Sequence, residues 1–188
     1  SYTLAAAYAL GRAVDDEIIA AATGTAYTGE TGSTSTTFDS NNAITESGSD
    51  GLTLAKLRSA KEKLDTGNVS PDISRFMIIG PQQLSDLLNV TSVTSSDYNS
   101  VKALVQGELD TFMGFKFITT TRLSKTSTKR KVLAFAQDGI KLAIGKDLIT
   151  KIDERSDKGY ATQVYVCQSI GSTRMEEAKV ISIECVET

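Results

Sequence analysis

The chain has 188 residues, 40% of them apolar and 23% charged, with a formal net charge of −3 and a pI near 5.1. Such a length and composition predict one ordinary globular domain, with room for a lobe or insertion, that needs neither metal nor disulfide to fold. There is no His, no Trp and only two Cys, which excludes a Ser-His-Asp triad, a Cys-His dyad, a His-ligated metal and a four-thiolate zinc site built within the chain, while the mild acidity excludes a chain-wide basic footprint for nucleic acid.

The first element is a helix over 1–22, rich in Ala, with a stripe of Leu4, Ala7, Tyr8, Gly11, Val14, Ile18 and Ala22 and a stop at Gly24. Because Ser1 already reads as helix, the chain is expected to enter this element in mid-course. Asp15, Asp16 and Glu17 are adjacent, and adjacent helical residues fan out by ~100°. They predict a solvated face rather than a metal or acid–base cluster. The opening stretch lacks a basic n-region and a long apolar core, and no apolar run approaches ~18–20 residues, so neither a signal peptide nor a membrane span is expected. Cys167 and Cys185 are then expected as reduced thiols in an intracellular setting.

Residues 23–50 form a long connection in which 21 of 28 residues are Gly, Ser, Thr, Asn or Asp, with Tyr27, Phe38 and Ile44 as its large apolar anchors. Gly24, Gly29 and Gly32 fit no phosphate-loop pattern. A second helix spans 51–66. Asp50 is its expected cap, Leu54, Leu57, Ala60 and Leu64 its buried face, and Gly67 its stop, with Lys56, Arg58, Lys61 and Lys63 on solvated faces. Next, Phe76–Ile79 reads as a strand covered on both faces, broken by Gly80, with Pro81 opening a helix that buries Leu84, Leu87 and Leu88. No G-x-S-x-G nucleophile elbow accompanies it.

A polar loop is expected at 90–96, then a short helix over 97–106 with Tyr98, Val101, Leu104 and Val105 inward and a stop at Gly107. Residues 114–121 alternate as a strand. Lys129-Arg130-Lys131 lies in a polar turn over 124–131 that predicts a solvated hairpin tip. The last third is expected to be mostly strand, at 132–136, 139–144, 148–152, 163–170 and 179–185. If the last two paired, Cys167 and Cys185 would come close, as buried free thiols rather than a disulfide.

In order and spacing these elements resemble the major capsid protein of tailed bacteriophages, the Hong Kong 97-type capsid fold that encapsulins share. Ala13-Val-Asp-Asp-Glu-Ile-Ile19 running into Gly24-Thr-Ala26 resembles the end of the family's long spine helix and the loop after it. The 51–66 helix followed by Arg75-Phe-Met-Ile-Ile-Gly-Pro81-Gln-Gln-Leu84 resembles the helix–strand–Pro–helix unit of its axial domain. Gly107-Glu-Leu-Asp-Thr-Phe-Met-Gly-Phe-Lys-Phe117 and Ala134-Phe-Ala-Gln-Asp-Gly-Ile-Lys-Leu-Ala143 resemble the strands that follow, and 160–170 and 177–186 resemble the two that complete the peripheral-domain sheet. Lys116 stands where many relatives have Pro.

The resemblance implies an α+β fold: a peripheral domain, made of a spine helix and an antiparallel sheet, with an inserted axial domain. The expected divisions are 1–70, 71–155 and 156–188. The family's N-terminal arm and extended loop, which lace neighbouring subunits and carry the cross-linking Lys of some relatives, precede the spine helix and are expected to be missing. No catalytic, cofactor-binding or metal-ligating residue is therefore assigned, and no cofactor is expected. The implied function is structural: self-assembly into pentamers and hexamers of an icosahedral phage or prophage shell around double-stranded DNA, without specific DNA binding. A scaffolding protein and a portal are the further partners it implies, no membrane is involved, and the virion, assembled in host cytoplasm, is the implied location. An encapsulin-like nanocompartment shell is a variant. From other classes, a monomeric α+β binding module would use the 23–50 loop for recognition. An enzyme would rest on Asp147, Asp153 and Glu154 with Lys151, and a two-carboxylate hydrolase would need such groups ~5–10 Å apart in a cleft.

Overall fold

The computed structural model describes residues 2–45, 50–89 and 111–187. The loop expected at 90–96 and the helix expected at 97–106, with its Gly107 stop, lie outside the described residues.

Helix α1 (Tyr2–Thr23) ends where Gly24 N–H reaches the Ala20 carbonyl at 2.9 Å. Its covered side differs from the expected stripe. Leu4, Ala7, Tyr8 and Gly11 are exposed, while Ala6, Leu10, Val14 and Ile18 are half-buried and Ile19 and Ala22 buried. The reason is what the helix lies on: a strand of the last third runs beside it, whereas the main sheet meets it in its C-terminal half, at Ile18 and Ile19. Residues 26–44 are more ordered than their composition suggested. Strands β1 (Ala26–Thr28) and β2 (Thr34–Thr36) form a small hairpin, and β3 (Ala43–Ile44) joins the main sheet.

Helix α2 (Leu54–Thr66) begins one turn later than expected. Leu52, in a bend just before the helix, is fully buried. Thr53, in an extended conformation, is then the cap, its hydroxyl accepting from Lys56 N–H at 3.4 Å. Leu54, Leu57, Ala60 and Leu64 form the buried face as expected. Lys56 does not lie on a solvated face. It is 2% exposed, and its ammonium donates to the carbonyls of Asp50, Gly51 and Glu184 at 2.9, 3.0 and 3.0 Å.

Strand β4 (Arg75–Ile79) runs through Gly80 into α3 (Pro81–Asn89). A Cβ at position 80 would collide with the side-chain oxygen of the buried Gln83, which would have to move to make room. Next come β5 (Thr111–Phe112) and β6 (Phe115–Thr119), joined by Met113 and Gly114 at φ 53 and 87. This two-residue turn suits the twist of a tight hairpin. Then follow β7 (Lys125–Thr126), β8 (Lys129–Ala136), β9 (Ile140–Arg155), β10 (Ala161–Arg174) and β11 (Val180–Val186).

The main sheet has the order β3-β11-β8-β4-β6-β5, with β7 paired to the end of β8. β3 runs parallel to β11 and β4 to β6; the other pairs are antiparallel. One apolar core joins the α2 face to the central strands, including Met77, Ile79, Phe115, Leu133, Ile181 and Ile183. The segments expected at 139–144 and 148–152 are a single strand, β9, which pairs along its length with β10 as a long hairpin. The expected division at 155/156 falls at the tip of this hairpin. The two closing strands therefore lie in different sheets, β10 with β9 and β11 with β8 and β3. Cys167 and Cys185 accordingly sit on strands that do not pair, both as free thiols. Cys185 is fully buried, and burial pushes its thiol up to about 12, so it is not a nucleophile near neutral pH. Cys167 is only half-buried.

Arg174, at the end of β10 and 4% exposed, joins the hairpin layer to the rest. Its guanidinium donates to the carbonyls of Ala22 and Gly24 at 3.1 and 2.8 Å, to Glu177 at 2.6 Å, and lies 5.2 Å from the Phe38 ring centroid. It fills the C-terminal end of α1 with a cation, where the helix dipole favours one. Truncating it leaves buried carbonyls unpaired. Arg174→Ala is expected to lower stability by more than about 2 kcal/mol, and Leu57→Ala by about 2–5 kcal/mol through a core cavity. Urea unfolding of the two variants measures both, and Arg174→Ala is also expected to raise hydrogen exchange in the last turn of α1, which Leu57→Ala leaves protected.

Candidate functional site

The carboxylates weighed from sequence do not form a cleft. Asp147, Lys151, Asp153 and Glu154 are all exposed on β9. Strand alternation puts Lys151 and Asp153 on one face and Glu154 on the other, beside Ile152. Of the adjacent acids on α1, Asp16 pairs with Arg122, and the Glu17 carbonyl accepts from the Ser172 hydroxyl at 2.7 Å. The Arg122 guanidinium holds the Asp16 carboxyl below its ordinary range. Asp15 borders a groove of about 230 Å³ between α1 and the main sheet, lined by Ile18, Ile19, Ile78, Ile118 and Phe135. No group of three or more His, Cys, Asp or Glu among the described residues is placed to hold a metal.

The basic turn over 124–131 is a hairpin tip, but it is not simply solvated. Lys129 pairs with Glu184 at 3.1 Å. Arg130 and Lys125 both pair with Glu187, Lys125 at 2.8 Å, and Gln83 donates to the same carboxylate at 3.1 Å. The Glu187 amide donates to the Thr128 carbonyl at 2.7 Å, and Arg130 also reaches the Leu123 carbonyl at 2.9 Å. This clamp fixes the chain just after β11. Sequence reading missed it because its members are far apart in the chain and Glu187 has no local signature. Arg130, with help from Lys125 and Gln83, holds the Glu187 carboxyl at about 2, against an ordinary 4.5.

Asp86 lies between this clamp and Lys56. One of its oxygens is buried with no hydrogen-bond partner, and a Cβ on Gly51 would collide with its carboxylate. Burial raises its affinity for a proton, opposed by the Leu52 amide and by Lys56.

More than half of the exposed large apolar side chains among the described residues lie on the β9–β10 hairpin. Every residue of β9 after Ile140 is exposed, among them Leu142, Ile144, Leu148, Ile149 and Ile152, with Tyr160 at the tip and Tyr165 on β10. A 3-10 turn over Ser156–Lys158 is closed by Gly159 and Tyr160, both at positive φ, and the Tyr160 amide reaches the Arg155 carbonyl at 3.0 Å.

The phage capsid protein family model matches residues 1–187. The chain belongs to that family. It is a structural capsid protein, not an enzyme, and its place is the virion. No curated protein matches this chain. Among solved structures, it is similar to a protein of Mycobacterium phage Che8, with a TM-score of 0.70 at 17% identity over 97% of this chain and 61% of the other. The capsid of Cyanophage P-SCSP1u gives 0.68 at 18% identity, covering 100% of this chain and 65% of the other. The SrpI encapsulin of Synechococcus elongatus shares the fold at 0.53 and 10% identity, over 80% of this chain and 55% of the encapsulin. The chain thus spans about three fifths of the length of these proteins. The α+β, Hong Kong 97-type fold implied by the sequence is the fold found.

The clamp carries a pH dependence of definite sign. The folded state lowers the Glu187 value, so its contribution is complete above the ordinary 4.5 and is lost as pH falls through about 2. Glu187→Gln is expected to lower stability at pH 7 and to flatten the decline between pH 4.5 and 2. Urea midpoints measured at half-unit steps for both proteins check this.

Proposed function

We propose that copies of this chain, within the complete gene product, tile a closed icosahedral shell as pentamers and hexamers around double-stranded DNA. The observation that carries this reading is the β9–β10 hairpin, a rigidly anchored apolar surface on a member of the capsid family. The α1–hairpin layer would serve as the peripheral part and the main sheet with α2 and α3 as the axial part. This division follows the two sheets and redraws the boundaries expected at 70 and 155.

Shell building asks for a rigid subunit, and two buried staples support that part of the reading. Arg174 fixes the hairpin layer to α1, and the Glu187 clamp fixes the end of β11 to β8 and α3. Little ordering entropy then remains to be lost on association, so modest apolar anchors and rim charges add up over many contacts. Net charge supports the enclosed cargo being held without tight binding, because a mildly acidic wall gains nothing from counterion release on DNA. A scaffolding protein and a portal complete the reading, with assembly in the host cytoplasm.

Negative-stain electron microscopy of the complete gene product, expressed alone, tests it. Closed shells or ring-shaped capsomers are expected. Nucleic acid extracted from particles made in infected cells would separate a phage head from an encapsulin-like compartment filled with protein. A monomer that persists at high concentration, even after adding a scaffold or lowering pH, would overturn the proposal in favour of a binding module.

A further inference from the structure

Two carboxylates act on one another at the end of β11, and their surroundings differ. Glu187 has Arg130, Lys125 and Gln83 as donors. Asp86, on α3, has the Leu52 amide as its backbone donor. One of its oxygens, Oδ2, is buried with no hydrogen-bond partner, although the residue as a whole is only half-buried and so within reach of solvent protons. Lys56 has no hydrogen to give it. An ammonium carries three, and the carbonyls of Asp50, Gly51 and Glu184 accept from this one. The Asp86 carboxylate also lies flush against the chain at position 51, where a Cβ would stand 2.0 Å from Oδ2 and 2.5 Å from Cγ.

A carboxylate oxygen removed from water without a donor is less costly neutral than charged. Glu187 adds a like charge. Two carboxyls in one poorly solvated site ionise at separate pH values, and the one with fewer donors keeps its proton longer. Here that one is Asp86. The titratable groups that bear on it are Lys56 from α2, Glu187 beyond β11 and the Cys185 thiol on β11. The thiol stays protonated up to about 12 and brings no charge to the balance. Arg130 and Lys125 act through Glu187, which they hold ionised.

We propose that Asp86 is a proton-operated joint of the folded subunit: neutral, it holds α3 against the 50–53 segment and the end of β11, and charged, it loosens that seam. Burial, together with the Glu187 charge, raises its proton affinity above the ordinary 3.8, against the Leu52 amide and Lys56. A carboxyl raised by folding contributes in full below 3.8, and its contribution is lost as pH rises through the folded value. Glu187 has the opposite sign and fades only as pH falls through about 2. The seam is therefore tightest in acid where Asp86 is neutral and Glu187 still charged, and looser at neutral pH. The joint lies within one subunit, so it stands or falls independently of the shell reading.

Hydrogen exchange of the complete gene product, read by mass spectrometry between about pH 4 and 7 and corrected for intrinsic rates, tests it. Protection of the backbone over 51–54 is compared with that of the last turn of α1, which Arg174 holds. In the wild type this ratio is expected to fall several-fold as pH rises. In Asp86→Asn, which keeps the shape without the charge, it is expected to stay level. The same holds for Gly51→Ala, whose Cβ displaces the carboxylate. A wild-type ratio that stays level or rises would overturn the joint whether or not the variants fold, and so would a fall that persists unchanged in either variant. Where neither variant folds, the wild-type fall decides in its favour.

Discussion

The arrangement of this subunit turns on one buried cation. Arg174 closes the C-terminal end of α1, anchors the base of β10, and lies against Phe38 from the Gly- and Ser-rich connection. A helix end buried without partners would leave carbonyls unsatisfied, and a buried guanidinium without acceptors would cost more than its packing returns. Each need answers the other. The consequence is geometric: α1 is held alongside the hairpin, and its C-terminal half lies against the main sheet across a groove, with the Asp16–Arg122 pair as a further tie.

Two further cations repeat the device at the other side of the core. Lys56 gathers three carbonyls from two segments, and Arg130 gathers Glu187 and the Leu123 carbonyl. All three cations join segments distant in sequence. In every case the acceptors are backbone carbonyls or carboxylates, and such partners are what makes a buried charge tolerable. A chain with no disulfide and no metal cluster among its described residues thus gains its rigidity from satisfied polar staples around one apolar core.

Local pattern revealed what depended on local pattern. The stripe Leu54, Leu57, Ala60, Leu64 and the passage from β4 through Gly80-Pro81 into α3 were legible, because period and backbone chemistry decide them. The staples were not. Lys56 sits among exposed Lys and Arg on a helix that reads as charged, and only the approach of Asp50 and Glu184 from elsewhere buries it. β3 is two residues long and exists because β11, some 140 positions later, offers an edge. The long hairpin was divided into pieces because Gly145-Lys146-Asp147 interrupts the apolar alternation. A register shift near Lys146 and Ser169 absorbs the interruption, so pairing continues on both sides of it. The exposed surface was hidden for a related reason, since alternation predicts which residues share a face but not whether anything covers that face.

That last point bears on how such a subunit balances folding against association. The core and its staples hold the main sheet without help, whereas the outer half of the hairpin has one partner strand and open solvent. Its conformation is set at the base by Arg174 and at the tip by Gly159 and Tyr160, with little apolar burial between. An element fixed at both ends but under-packed along its length loses little freedom when a neighbour covers it, and it gains all of that burial at once. Association would then stabilise the hairpin by mass action, while the monomer remains folded enough not to expose its core. Stability is concentrated in the core and its staples, and the outer half of the hairpin shares least in it.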